Sequence, residues 1–202
     1  MKLYYSPGAC SLSPHIVARE AGLDIELVLA STKTHQLQDG TDFYGINAKG
    51  YVPLLELDDG QRLSEGPAIV QYLADQAPDR QLAPANGTMA RYRLQEWLNF
   101  LTSELHKGFS PLFHPAMPEE AKALARTKLH ERLKWVDAQL EGRQYLMGDG
   151  FTVADAYLFT VTNWGRLVGV DVSVYPHLVA YRERVSQRPA VQAAMKAEGL
   201  LK

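Results

Sequence analysis

The chain reads as two parts: an α/β segment built on a small mixed sheet, then an all-α segment. Three observations predict this. The first third alternates short apolar runs with amphipathic stretches and closes with a hairpin signal and a helix. Residues 78–88, PDRQLAPANGT, then break the pattern with two prolines and an Asn-Gly step. Beyond them, apolar residues recur at helical spacing.

Taken in order, Lys2–Tyr5 (KLYY) is expected as a strand, Ser11–Ala21 as a helix stopped by Gly22, and Ile25–Leu29 (IELVL) as a second strand. Ser31–Lys49 is polar and mixed, with at most a short helix. VPLLEL and QRLS flank Asp58-Asp59-Gly60, which marks a hairpin, and Glu65–Gln76 reads as a helix with Ile69, Tyr72 and Leu73 on one face. A βαβ unit followed by a hairpin and a helix closes most simply as one mixed sheet covered by helices. The expected division is 1–80, a linker over 81–87, and a helical unit over 88–202. In that unit Leu94, Trp97, Leu101 and Leu105 form an apolar stripe, GFSPLFHPAMP interrupts, and Glu119–Leu140 is a long helix. Thr152 and Asp155 make an Asp version of the capping box, with Phe151 as the hydrophobic staple, and Pro176 and Pro189 open two terminal helices.

Composition narrows the function classes. Net charge is −2, from 21 basic and 23 acidic residues, which argues against non-specific binding to nucleic acid or anionic membrane. One cysteine excludes an internal disulfide framework. The opening MKLYYSPGACSL lacks a long apolar stretch, and no run approaches the roughly 18–20 apolar residues that span a bilayer. A reducing cytoplasm is the expected compartment. The histidines have no metal-ligand spacing, so no metal is expected. Asn86-Gly87-Thr88 is a linker turn, and Glu119-Glu120 are acids favoured in a first helical turn.

Four stretches carry candidate chemistry. In SPGACSLSPH, Cys10 stands at a helix N-terminus, where unpaired N–H groups and the helix dipole favour a thiolate. Ser13 replaces the second cysteine of a redox C-x-x-C, so a mixed disulfide could form there but not be resolved internally. A small apolar filler is the other reading of Cys10. In GYVPLLEL, a Val52-Pro53 step precedes a strand; if cis, it would leave Val52 backbone groups for an extended peptide, whereas a trans proline at a strand start is the commoner form. In LSEGPAIVQYL, Ser64 and Glu65 open a helix; the N-terminus suits a carboxylate and Glu65 an ammonium, while plain N-capping by Ser64 is the structural alternative. In WLNFLTSELHKGF, Asn99, Ser103 and His106 share one helical face, followed by Lys107; a solvated surface is the alternative there.

SPGACSLSPH, NAKGYVPLLELDDG, LSEGPAIVQYLAD, EWLNFLTSELHKGFSPLF and FTVADAYLF together resemble the bacterial beta-class glutathione transferases, in order and spacing over the whole chain. The resemblance implies a thioredoxin-like N-terminal domain (βαβ-α-ββα), an all-helical C-terminal domain and a homodimer. It implies glutathione as co-substrate with no tightly bound cofactor, and a small hydrophobic electrophile as the second substrate. By the resemblance, Cys10 lies beside the glutathione sulfur, Val52 pairs with its backbone ahead of a cis Pro53, and Glu65 and Gly66 hold the γ-glutamyl end. Asn99, Ser103, His106 and Lys107 resemble helical-domain contacts, some reaching across a dimer.

Where the family often has lysine this chain has His35, mostly neutral at pH 7, which predicts weaker glutathione binding or binding that improves as pH falls. Lys33 is a substitute that the sequence does not place. The implied catalytic groups are Cys10, Ser11 and His106, with Tyr5 a lesser candidate. Phe109, Phe113, Trp164 and Leu167 are pocket or core candidates. Conjugation in detoxification or aromatic pollutant catabolism is the expected activity. The alternatives are glutathione-dependent thiol–disulfide exchange or dehalogenation using Cys10, and non-catalytic carriage of glutathione or apolar ligands.

Overall fold

The computed structural model describes residues 1–201. Strands β1 (Lys2–Tyr5), β2 (Glu26–Leu29), β3 (Leu54–Glu56) and β4 (Arg62–Ser64) form one mixed sheet in the order β2-β1-β3-β4. β1 runs parallel to β2 and antiparallel to β3, and β3 runs antiparallel to β4. Helix α1 (Leu12–Ala21) supplies the parallel crossover, and Gly22, at φ 69°, ends it in the left-handed conformation. The β3–β4 hairpin turns at the expected Asp58-Asp59-Gly60, and α2 (Gly66–Asp75) packs against α1. Between β2 and β3 the helix is reduced to one 3₁₀ turn, Phe43–Gly45, capped by the Asp42 carboxylate.

The remaining helices are α3 (Met89–Phe100), α4 (Lys107–Phe113), α5 (Glu119–Leu140), α6 (Val153–Thr162), α7 (Gly165–Val168), α8 (Pro176–Ser186) and α9 (Pro189–Ala197). Two expectations change here. GFSPLFHPAMP does not interrupt at its start: residues 101–106 form a π-helical segment that carries α3 directly into α4, and the break comes after Phe113. The helical unit expected over 88–202 is also divided. The chain separates into 84–187 and a unit of 1–83 with 188–202, so α9 packs on α1. Long-range contacts on either side of it hold it there. Arg188 binds Glu20 through Nε and Nη2 at 2.6 and 2.9 Å. Glu198 meets His15 Nδ1 at 2.8 Å with both side chains buried.

In the second unit the capping box is present at the start of α6. Asp155 is fully buried and accepts from the Leu146 and Thr152 N–H groups, the Thr152 hydroxyl and the Tyr181 hydroxyl, at 2.8–3.1 Å. Its burial nevertheless pushes its pKa up to about 6. α6 is buried along its whole length and forms the centre of this unit.

Candidate functional site

Strand direction brings three of the four candidate stretches together. Cys10 follows the C-terminal end of β1, Val52-Pro53 precedes β3, and Ser64-Glu65 closes β4. Because β3 is antiparallel to both neighbours, these three ends lie at the same end of the sheet, as the Tyr4–Leu54–Ser64 register shows. The end of β2, leading into the loop that holds His35, is there too. Ligands in open α/β sheets gather at such carboxyl ends. Beneath the site, Tyr4, Ala30, Phe43, Val52 and Leu54 form a buried apolar cluster.

The Val52-Pro53 bond is cis. The Val52 carbonyl accepts a hydrogen bond from Cys10 Sγ at 3.3 Å, so of the Val52 backbone groups expected to be open, the carbonyl is engaged. The Val52 N–H has no hydrogen-bond partner among the described residues. Cys10 is half-buried, at the turn before α1. The Ser11 side chain is fully buried and spent on the preceding loop, donating to the Ser6 carbonyl at 3.2 Å and accepting from the Ser6 N–H at 3.1 Å. What Ser11 still offers is its backbone N–H. The Gly8 N–H in the same loop donates to Glu198 at 2.9 Å. Burial, and then Glu198, push the Tyr5 hydroxyl above its ordinary range, which suits a protonated donor rather than a base.

Ser64 does not cap α2; that position belongs to Glu65, with no side-chain cap. The Glu65 backbone is held at φ 72° and ψ 113°, a rare conformation for a residue with a side chain, of the kind that clusters at ligand sites. Pro67 lacks an N–H, which leaves the Gly66 N–H as the first helical donor. Lys49, which the sequence reading did not single out, donates to Glu65 at 2.7 Å and to Ser64 at 3.1 Å, with both charged side chains exposed. His35 sits at φ 54° with Nδ1 3.0 Å from the Gly50 carbonyl and its ring on Tyr44. Gly50 is required there: at φ 65°, a Cβ would meet the Tyr44 ring at 2.5 Å. The Lys33 side chain is exposed, and its backbone N–H is bound by Ser31 Oγ.

The fourth stretch lies in the second unit. The shared face of Asn99, Ser103 and His106 assumed regular α-helical spacing, but Ser103 and His106 belong to the π segment. Its i→i+5 bonding widens the turn and shifts both relative to Asn99. Asn99, Ser103 and Lys107 are exposed and His106 is half-buried. Tyr157, also missed from sequence, fixes the His106 ring, its hydroxyl 2.6 Å from Nδ1. Trp164 packs edge-on against His106, Phe109 and Phe113. Phe109 is core, whereas Phe113 and Leu167 are exposed, so two of the four apolar candidates present surface for a ligand. Among the described residues no cluster of three or more His, Cys, Asp or Glu could hold a metal ion, and no helix is long and apolar enough to cross a membrane.

Comparison with known proteins agrees over the whole length. Residues 8–76 match the family model for the glutathione S-transferase N-terminal domain, and residues 100–189 match that for the C-terminal domain. Glutathione S-transferase GstA of Escherichia coli O157:H7 is 48% identical over 200 residues, covering 99% of this chain and 100% of that protein. A sphingomonad glutathione S-transferase solved in complex with glutathione is 50% identical, with a TM-score of 0.96 and all of both chains covered. A beta-class glutathione S-transferase of Sphingomonas chungbukensis is 49% identical, again with a TM-score of 0.96 and full coverage. These likenesses settle the family: the chain belongs to the bacterial beta class of the glutathione S-transferases, and is an enzyme of that transferase class.

Proposed function

We propose that the chain conjugates glutathione to small apolar electrophiles, with glutathione lying across the end of the sheet. The observation that carries this reading is the meeting of Cys10, Val52 and Glu65 at one sheet end. A tripeptide with a central thiol, a free amino-acid head and a terminal carboxylate has a group for each. The Val52 N–H pairs with the peptide backbone. The Gly66 N–H takes the γ-glutamyl carboxylate and Glu65 its ammonium, displacing the exposed Lys49 contact, a pair that holds little energy. His35 stands toward the glycyl carboxylate. Asn99, Ser103, His106 and Lys107 complete the contacts from the helical unit, some of them across a homodimer, as the family resemblance implies.

Chemistry requires the thiolate, so the site must favour ionised glutathione. The Ser11 N–H and His106 are the donors proposed to do so. The sulfur then bonds to the electrophilic carbon as the leaving group departs with the electron pair, and Phe113 and Leu167 supply apolar surface for that substrate. A second reading, thiol–disulfide exchange, is favoured by the position of the Cys10 sulfur itself. There the Cys10 thiolate would attack the glutathionyl sulfur of a mixed-disulfide substrate, expelling the other sulfur as its thiolate, and a second glutathione thiolate would then attack the Cys10–glutathione disulfide, freeing Cys10 and leaving oxidised glutathione, since the chain has no other cysteine. Dehalogenation is the same substitution with halide as leaving group. The enzyme is placed in the cytoplasm, where glutathione is kept reduced.

The test is the glutathione-dependent conjugation of 1-chloro-2,4-dinitrobenzene by the wild type and Glu65→Gln. Turnover by the wild type, with KM for glutathione raised about tenfold or more in the variant, is expected from loss of a charge-assisted contact. Binding of glutathione without turnover of any electrophile would instead make the chain a carrier.

A further inference from the structure

The ring of His35 is fixed by its own backbone, by Tyr44 and by Gly50. The backbone sits at φ 54°, a left-handed conformation that few residues with side chains tolerate, histidine among them. Both of its hydrogen-bonding groups are used there. The His35 N–H donates to the Ser31 carbonyl at 3.0 Å, and the His35 carbonyl accepts from the Phe43 N–H at 2.8 Å. The ring lies on that of Tyr44, with centroids 4.7 Å apart, and Nδ1 stands 3.0 Å from the Gly50 carbonyl. Gly50 leaves no slack, since a Cβ there would lie 3.0 Å from Nδ1 itself.

This geometry decides what the neutral ring can offer a ligand. A carbonyl oxygen only accepts, so Nδ1 carries the proton toward Gly50 and Nε2 is left as a lone pair. Nε2 has no hydrogen-bond partner among the described residues. Unlike the buried orphans Ser13 Oγ and Arg182 Nε, it is not sealed from solvent. No lysine of the same stretches supplies a donor beside it. Lys49 is turned to Ser64 and Glu65, at the γ-glutamyl end, and Lys33 forms no hydrogen bond or ion pair with His35 or Gly50. Next to the ring, Tyr44 and Tyr51 expose 48% and 66% of their surface. The Tyr51 backbone is anchored, its carbonyl accepting from Asn47 Nδ2 at 2.7 Å. The glycyl end of the site is thus an acceptor flanked by exposed aromatic rings.

Resting on the placement of glutathione given above, we propose that the site takes glutathione whose glycyl carboxyl is amidated. The amide N–H donates to His35 Nε2, and a substituent on that nitrogen lies against Tyr44 and Tyr51. A glycyl carboxylate has no proton to give this lone pair and sets a negative charge against it. An amide N–H completes the lone pair and brings no charge to desolvate.

The test is calorimetric titration at pH 8 of ligands that differ only at the glycyl end: S-methylglutathione, its glycyl methyl ester and its glycyl methylamide. The ester removes the charge, and the amide removes the charge and supplies the N–H, so the two effects separate. The amide should bind the wild type several-fold more tightly than either the acid or the ester, the equivalent of about one hydrogen bond. His35→Lys should reverse the order, acid above amide, because an ammonium donates and cannot accept. Binding of the acid by that variant also shows that it is folded. An amide that binds the wild type no more tightly than the acid or than the ester, or an order unchanged in His35→Lys, would overturn the proposal and leave glutathione in its place. No saturable binding of any of these ligands would overturn the placement of glutathione itself, and the proposal with it.

Discussion

The Cys10 sulfur lies 3.3 Å from the carbonyl oxygen of Val52, joining the turn after β1 to the segment before β3. There the Cys10 thiol donates to a backbone carbonyl. The sequence shows the sulfur only at a helix N-terminus; the structure adds this acceptor in the segment before β3. Cys10→Ala is therefore expected to lower the conjugation rate by less than about tenfold, the loss of one modest hydrogen bond. Glutathione-dependent reduction of 2-hydroxyethyl disulfide should be abolished in the same preparation. Collapse of both activities would make the thiol a direct participant in conjugation.

His35 faces the Gly50 carbonyl through Nδ1, so that nitrogen carries the proton and a neutral ring has no second N–H to offer. His35→Lys would set a charged donor beside the proposed glycyl carboxylate and should improve the affinity for S-methylglutathione at pH 8 by several-fold. Calorimetry decides, and no gain at pH 8 counts against the assignment.

Tyr157 orients His106 through its hydroxyl at 2.6 Å. Tyr157→Phe removes the partner but keeps the buried ring. We expect a fall of about three- to tenfold in conjugation rate, the equivalent of about one hydrogen bond, with the thermal midpoint nearly unchanged. An unaltered rate would place His106 outside the reaction.

Asp155 gives a stability signature. Folded, it holds its proton up to about pH 6, against 3.8 for an ordinary aspartate. Between those values the folded state binds the extra proton. This contribution is complete below the lower value and is lost as pH rises through the upper one. The loss amounts to about 3 kcal/mol, at about 1.4 kcal/mol per pH unit. Asp155→Asn should be less stable than the wild type throughout, and the gap should narrow as pH rises from 4 to 7. Urea midpoints at several pH values measure it; a gap that widens with pH would contradict the assignment.

These residues mark where sequence reading succeeds and where it stops. β1, α1, the β3–β4 hairpin and α5 were legible because their signals are local: alternation, a glycine stop, an Asp-Asp-Gly turn, a long amphipathic run. The Thr152–Asp155 box was legible for the same reason, its two members being three residues apart. His15 and Glu198 are separated by 183 residues, and nothing local announces that they meet, so the return of α9 to the first unit was not foreseen. Lys49 could have been noticed, since it stands in the NAKGYVP stretch, but its reach to Glu65 depends on strands folding antiparallel. The π segment was hidden because LTSELH fits an ordinary helix equally well, and only tertiary packing selects the wider turn.

The central claim is that glutathione lies across the end of the sheet where β1, β3 and β4 bring their loops together. The most direct measurement is a glutathione titration followed residue by residue in the ¹H–¹⁵N amide spectrum of the wild-type protein. The account predicts the largest shifts at the amides of Ser11, Val52 and Gly66. No saturable shifts, or saturable shifts that leave those three amides unmoved, would contradict it.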